Sequence, residues 1–148
     1  MDETETRTDP HTGLAEIDEP ACWDLLGSQA VGRLAVTTGT HPDIFPVNYA
    51  VHDRRIVIHT EAGTKLAAAV LMGSVAFEVD QIDPDARAGW SVVVAGSARE
   101  PRTVEEELEL EGLGLTPWAQ VPKSRFIVIT PERVTGRRLP GQHAADRP

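Results

Sequence analysis

Ile44-Phe45-Pro46-Val47-Asn48-Tyr49-Ala50-Val51-His52 and Arg55-Ile56-Val57-Ile58-His59-Thr60 are two runs rich in β-branched residues, separated only by Asp53-Arg54. Two such runs around a two-residue spacer predict an antiparallel hairpin. With that loop Val47, Tyr49, Val51, Ile56 and Ile58 share one face, and Asn48, His52 and His59 share the other. One face is therefore core and the other partly polar, because side chains alternate along a strand. Arg54 suits the positive φ of a tight turn poorly, so the hairpin is specified more firmly than its loop type.

Further strands lie on both sides of this hairpin. Upstream, Gly32 to Thr38 reads as a strand and Gly39 to Asp43 as a turn. Before it, Asp18 can cap a helix with Pro20 in its first turn; Ile17 could staple onto Cys22, Cys22, Leu25 and Leu26 form an apolar face, and Gly27 ends the helix. Downstream, Thr64 to Met72 reads as a short helix closed by Gly73, and Ser74 to Gln81 alternates as a half-buried strand. Gly89 to Arg99 is a long strand, in which Gly96 marks a bulge or bend. Thr103-Val104-Glu105-Glu106 has the form of a capping box opening an acidic helix that runs to about Glu111. The last strands are Phe126 to Thr130 and Val134 to Leu139, with Pro131 between them. Six or seven strands with short helices and no regular βαβ alternation predict a mainly β fold, an antiparallel closed sheet forming a small barrel.

The chain has 148 residues, enough for one cored domain. Aromatic residues are only 5%, so aliphatic side chains must fill the core. The net charge is −9, and residues 1–20 hold seven acids against Arg7. Duplex binding needs clustered Lys and Arg, so nucleic acid is an unsuitable partner. Cys22 is the only cysteine, which excludes an intrachain disulfide and a Cys-based metal centre. The acidic start lacks the apolar core of a secretory signal, and no apolar run reaches the ~20 residues of a membrane helix, which leads to a cytoplasmic expectation. Residues 1–16 read as a disordered acidic tail, 17–139 as the domain, and 140–148 as a disordered C-terminal tail.

The chemistry-bearing segment is His59-Thr60-Glu61-Ala62-Gly63-Thr64-Lys65, between a strand end and a helix start. Helix N–H groups, the hydroxyls of Thr60 and Thr64, and the Lys65 cation together suit a phosphate monoester. An equal reading is that Thr64 only caps the helix and Lys65 is solvated. His41, His52 and His59 match no zinc spacing. Trp90-Ser91 could flank a planar ligand or cap the core, and Arg137-Arg138 could clamp an anion or be solvated.

Read in order, Gly32-Arg33-Leu34-Ala35-Val36, Pro46-Val47-Asn48-Tyr49, His59-Thr60 through Gly63 to Lys65-Leu66-Ala67, Val75 to Asp80, Gly89 to Gly96 and Val134-Thr135-Gly136-Arg137-Arg138 form a series. That series resembles the pyridoxamine 5'-phosphate oxidase-like family of FMN-binding split barrels, in its short actinobacterial-type members, over residues 17–139. The resemblance implies a six-stranded antiparallel split β-barrel with Greek-key-like order and short peripheral helices, forming a homodimer with FMN at the interface. It implies the flavin phosphate at Thr60, Thr64 and Lys65, the ring along Val47, Asn48 and Tyr49 with His59 beside it, and Trp90, Ser91 and Arg137 approaching from the partner chain. The implied activity is that of an FMN-dependent oxidoreductase, with no assigned acid or base because the flavin carries the electrons. Members that oxidise pyridoxamine phosphate carry basic residues where Ile44 and Tyr49 stand here, so the vitamin substrate is not implied. A deazaflavin-dependent reductase and a non-enzymatic module holding flavin or haem are the alternatives.

Overall fold

The computed structural model describes residues 7–61, 68, 70, 73–115 and 124–141. The hairpin forms as its alternation requires. Strands β3 (His41–His52) and β4 (Arg55–Glu61) pair antiparallel, with Tyr49 opposite Ile58 and Val51 opposite Ile56. Asp53 and Arg54 take φ values of 50° and 52°, two consecutive left-handed residues as a type I′ turn demands. Arg54 adopts this conformation despite its side chain, because the ladders on either side dictate the turn.

The remaining elements, in chain order, are β1 (Ala15–Ile17), α1 (Glu19–Leu26), β2 (Val31–Thr38), β5 (Ser74–Asp83), β6 (Ala88–Arg99), α2 (Val104–Glu111) and β7 (Ser124–Pro140). Strand order is β7-β4-β3-β2-β5-β6, and β6 pairs back onto β7, so six antiparallel strands close a ring. In the sheet order β3 and β2 lie between β4 and β5, which follow one another in the chain, a Greek-key type of order. The predicted helix at 64–72 lies mostly outside the described residues; Ala68 and Val70 are helical and Val70 is buried in the core.

One expectation near the C-terminus is corrected. The separate strands at 126–130 and 134–139 are a single strand, β7. Ala95 pairs with Arg133 and Gly96 with Pro131, leaving Glu132 as the extra residue of a bulge. A bulge tolerates a proline, which has no N–H to donate, so Pro131 bends the strand without ending it. Gly96 is required opposite it, since a Cβ there would lie 2.1 Å from the Thr130 carbonyl oxygen.

Inside the ring, Leu34, Ile56, Ile58, Phe77, Val92 and Ile127 are fully buried. Helix α1 plugs one end with Cys22, Trp23 and Leu26, and Leu25 is half-buried. Its cap is the predicted one: the Ala21 N–H donates to Asp18 at 3.0 Å. Outside the ring a second cluster forms where α2 lays Leu110 on Val57, Phe126 and Val128. This explains why β4 and β7 are apolar on both faces. The Thr103 hydroxyl accepts from the Glu106 N–H at 3.0 Å, but the Glu106 carboxylate turns to Arg99. The predicted capping box is thus half made.

Residues 7–16 depart from the expected tail. Thr8 bridges to Ala15, the Asp9 N–H donates to the Leu14 carbonyl at 2.8 Å, and β1 runs along the edge of β7 with Ile17 opposite Gly136. Residues 1–6 and 142–148 lie outside the described residues. No helix among the described residues is long and apolar enough to cross a membrane.

Candidate functional site

The ring opens where the opening hairpin stops. The β3–β4 ladder ends at Tyr49 and Ile58; one rung further would have paired Asn48 with His59, and two rungs further Val47 with Thr60. Instead β3 continues as the partner of β2, with Asn48 opposite Val31, while β4 continues against β7, with Thr60 opposite Arg125. The sheet splits between these two pairs. Asn48, His59 and Thr60 stand at the fork; Thr64 and Lys65, predicted for the same site, lie outside the described residues.

His59 is held firmly. Its ring stacks on Phe126 at 4.3 Å between centroids and 11° between planes, and Nδ1 lies 3.2 Å from the Leu115 carbonyl oxygen. A carbonyl can only accept, so Nδ1 carries a proton and donates it to Leu115. Thr60 is half-buried beside it.

Three of the predicted site residues point the other way. Val47, Tyr49 and Trp90 are 8%, 4% and 7% exposed and belong to the core inside the ring. The Tyr49 hydroxyl donates to the Leu26 carbonyl, its ring meets Phe77 edge-on at 4.8 Å, and burial pushes its pKa up to about 12. Trp90 therefore takes its core-capping alternative. Their side chains set the strands in place, and the outward-facing neighbours Asn48 and Ser91 are what those strands present outside.

Ser91 and Arg137 do come together. Glu16, Arg137, Ser91 and Asp80 form one rung across β1, β7, β6 and β5. The neighbouring outward rung is Thr135, Val93, Glu78 and Arg33 across β7, β6, β5 and β2. This makes a polar strip on the outside of the ring. Arg33 Nη1 lies 3.2 Å from Glu78 and 3.0 Å from Asp80. Burial, reinforced by Asp80 and opposed by Arg33, pushes the Glu78 carboxyl up to about 7. At the other end of the strip the hairpin at 7–17 roofs a cavity of about 470 Å³, lined by Asp9, His11, Glu16, Val93, Thr135 and Arg137 among others. Arg137 Nε donates to the Asp9 carboxylate, which is 5% exposed. The His11 amide, then Arg137, hold the Asp9 carboxyl below its ordinary value.

Sequence reasoning missed Asp9, Glu78 and Asp80 as members of this strip. The signal for the last two was the alternation of β5, which sets Glu78 and Asp80 outward together; Asp9 carried none, because its partner is 128 residues away.

A family model for pyridoxamine 5'-phosphate oxidase matches residues 18–138. The chain belongs to the pyridoxamine 5'-phosphate oxidase family. The chain is 37% identical over 131 residues to Rv0080 of Mycobacterium tuberculosis, covering 85% of this chain and 86% of that one. Among solved structures, an FAD binding protein from Mycobacterium smegmatis is 37% identical with a TM-score of 0.74, covering 83% of this chain and 98% of the other. An FAD-binding protein from Mesorhizobium loti is 26% identical with a TM-score of 0.68, covering 83% and 96%. The likeness to these solved structures is one of mainly β antiparallel fold, closed here as a ring.

Proposed function

We propose that this chain is a flavin-binding protein acting as a homodimer, which holds FMN by its phosphate at Thr60, Thr64 and Lys65 and exchanges a hydride with a small substrate. The observation that supports a flavin, without choosing between FMN and FAD, is the likeness over 83% of the chain to the FAD binding protein of Mycobacterium smegmatis; FMN is preferred because the hydroxyls and the lysine at residues 60–65 suit a phosphate monoester. The residues at the fork fit such a ligand. Thr60 brings a hydroxyl to the strand end, Lys65 follows five residues later in the sequence, and Asn48 and His59 present an amide and a ring nitrogen outside the barrel. Backbone at 47–49 lines the ring, while Val47 and Tyr49 fix that backbone from inside. Ser91 and Arg137, on the polar strip, reach the cofactor of the partner copy.

When bound, a flavin supplies the electron-accepting centre, and the protein needs to orient it, exclude water and set the charge around the ring. A second reading replaces FMN with FAD, and the names of both structural relatives favour it. The test is to denature the purified protein and identify what it releases. Release of FMN supports the first reading and FAD the second. Uptake of deazaflavin with neither flavin bound refutes both. A flavin that reductants and nicotinamides never reduce leaves a binding module and removes the hydride step. Lys65→Ala is expected to lose most of the thermal stabilisation given by added FMN, which arises from preferential binding to the folded state. Unchanged FMN affinity in that variant would take Lys65 out of the site.

A further inference from the structure

The N-terminal hairpin contributes a charge to the outer strip that nothing in its own sequence announces. Asp9 is 5% exposed, its Oδ1 accepts from the His11 amide at 2.8 Å, and its Oδ2 accepts from Arg137 Nε. A guanidinium offers five donors, and among the described residues the bond to Arg137 is made at Nε alone. Among the described residues nothing bonds Nη1 or Nη2, and Arg137 lines the 470 Å³ cavity, which is within the size range of small-molecule sites. An arginine held on one edge by a buried carboxylate loses rotamer freedom before any ligand arrives, so less is lost on binding.

We propose that Asp9 is a positioning residue for the flavin site: by holding Nε of Arg137 it fixes the guanidinium for the cofactor, and its negative charge sets how strongly Arg137 favours the reduced flavin. The inference rests on the flavin reading above and adds the hairpin at 7–17 to the site. Asp9 partly cancels the Arg137 cation. Removing that carboxylate leaves a bare cation near the ring, which favours the electron-rich form and raises the midpoint potential.

The test compares the full-length wild type, Asp9→Asn, Arg137→Ala and the double variant by FMN fluorescence titration and by the midpoint potential of the bound flavin. Expected is a loss of FMN affinity of about tenfold in Asp9→Asn, the worth of one charge-assisted hydrogen bond. The double variant should bind no more weakly than Arg137→Ala, and the potential of Asp9→Asn should move to a more positive value. If Asp9→Asn does not fold, Asp9→Glu, which keeps the charge but displaces the guanidinium, must weaken binding instead. FMN bound by wild type with affinity and potential unchanged in the Asp9 variant overturns the inference alone, as do additive losses in the double variant. Failure of the wild type to bind FMN or FAD overturns the flavin reading and this inference together.

Discussion

At Gly96 a side chain has nowhere to go. A Cβ would stand 2.1 Å from the Thr130 oxygen and 3.1 Å from Pro131 Cα, and both are backbone atoms of the bulged strand that cannot swing aside. Gly96→Ala is expected to cost about 2–3 kcal/mol, read as a fall in the urea midpoint without a change of slope. Glu78 makes a different prediction. Its folded pKa of about 7 lies above the ordinary 4.5, so its contribution to stability is complete below 4.5 and is lost as the pH rises toward 7. Glu78→Gln should flatten the stability curve across that window; an unchanged slope would mean that the carboxyl is not shifted. Cys22 is fully buried, and burial together with Asp18 and Glu19 pushes its thiol up to about 11. It should resist a thiol reagent in the native protein and react once denatured. Local sequence revealed the bulge glycine and the buried cysteine, because each is a matter of its own residue type and immediate pattern. Asp9 was invisible, since an aspartate in an acidic stretch looks solvated until a guanidinium from the far end of the chain meets it.

The turn between β3 and β4 works against its residues. Both Asp53 and Arg54 hold positive φ, which glycine adopts freely and arginine does not. Arg54→Gly is expected to stabilise the protein by about 0.5–1 kcal/mol in thermal unfolding, and a destabilising result would show that the arginine has a partner role. At α2 the sequence signature was right about the start and wrong about one bond. Thr103 caps the helix, yet Glu106 is drawn away by Arg99 at the end of β6. A four-residue motif cannot anticipate a competitor brought by another strand. The hairpin at 7–17 should respond to acid. Asp9 has a depressed folded pKa, so the stability it confers is present above its ordinary 3.8 and disappears as the pH falls through the lower folded value. The amides of Asp9, Gly13 and Glu16, which bond Leu14, Asp9 and Arg7, should then exchange faster while β6 stays protected. Uniform protection at acid pH would separate the hairpin from the Asp9 charge.

For the molecule as a whole, strand alternation made the closed antiparallel sheet legible, and the ordered series of motifs made the family legible. The site was less so. The resemblance implied Val47, Tyr49 and Trp90 as neighbours of the cofactor, but alternation places their side chains inside, in the core with Phe77, Leu26 and α1. What the strands offer outward is set by the next residue in each case, a distinction that only the register decides.

Strand β7 binds β4 along its first half, β1 along its second and β6 along most of its length, and it follows all of these partners in the chain. A nascent chain that has reached residue 115 therefore carries two open sheet margins with no partner yet synthesised, the situation most prone to sticking to other chains. Final folding must wait for a segment distant in sequence from most of what it joins, which makes slow maturation and a need for chaperone shielding the natural outcome of this wiring.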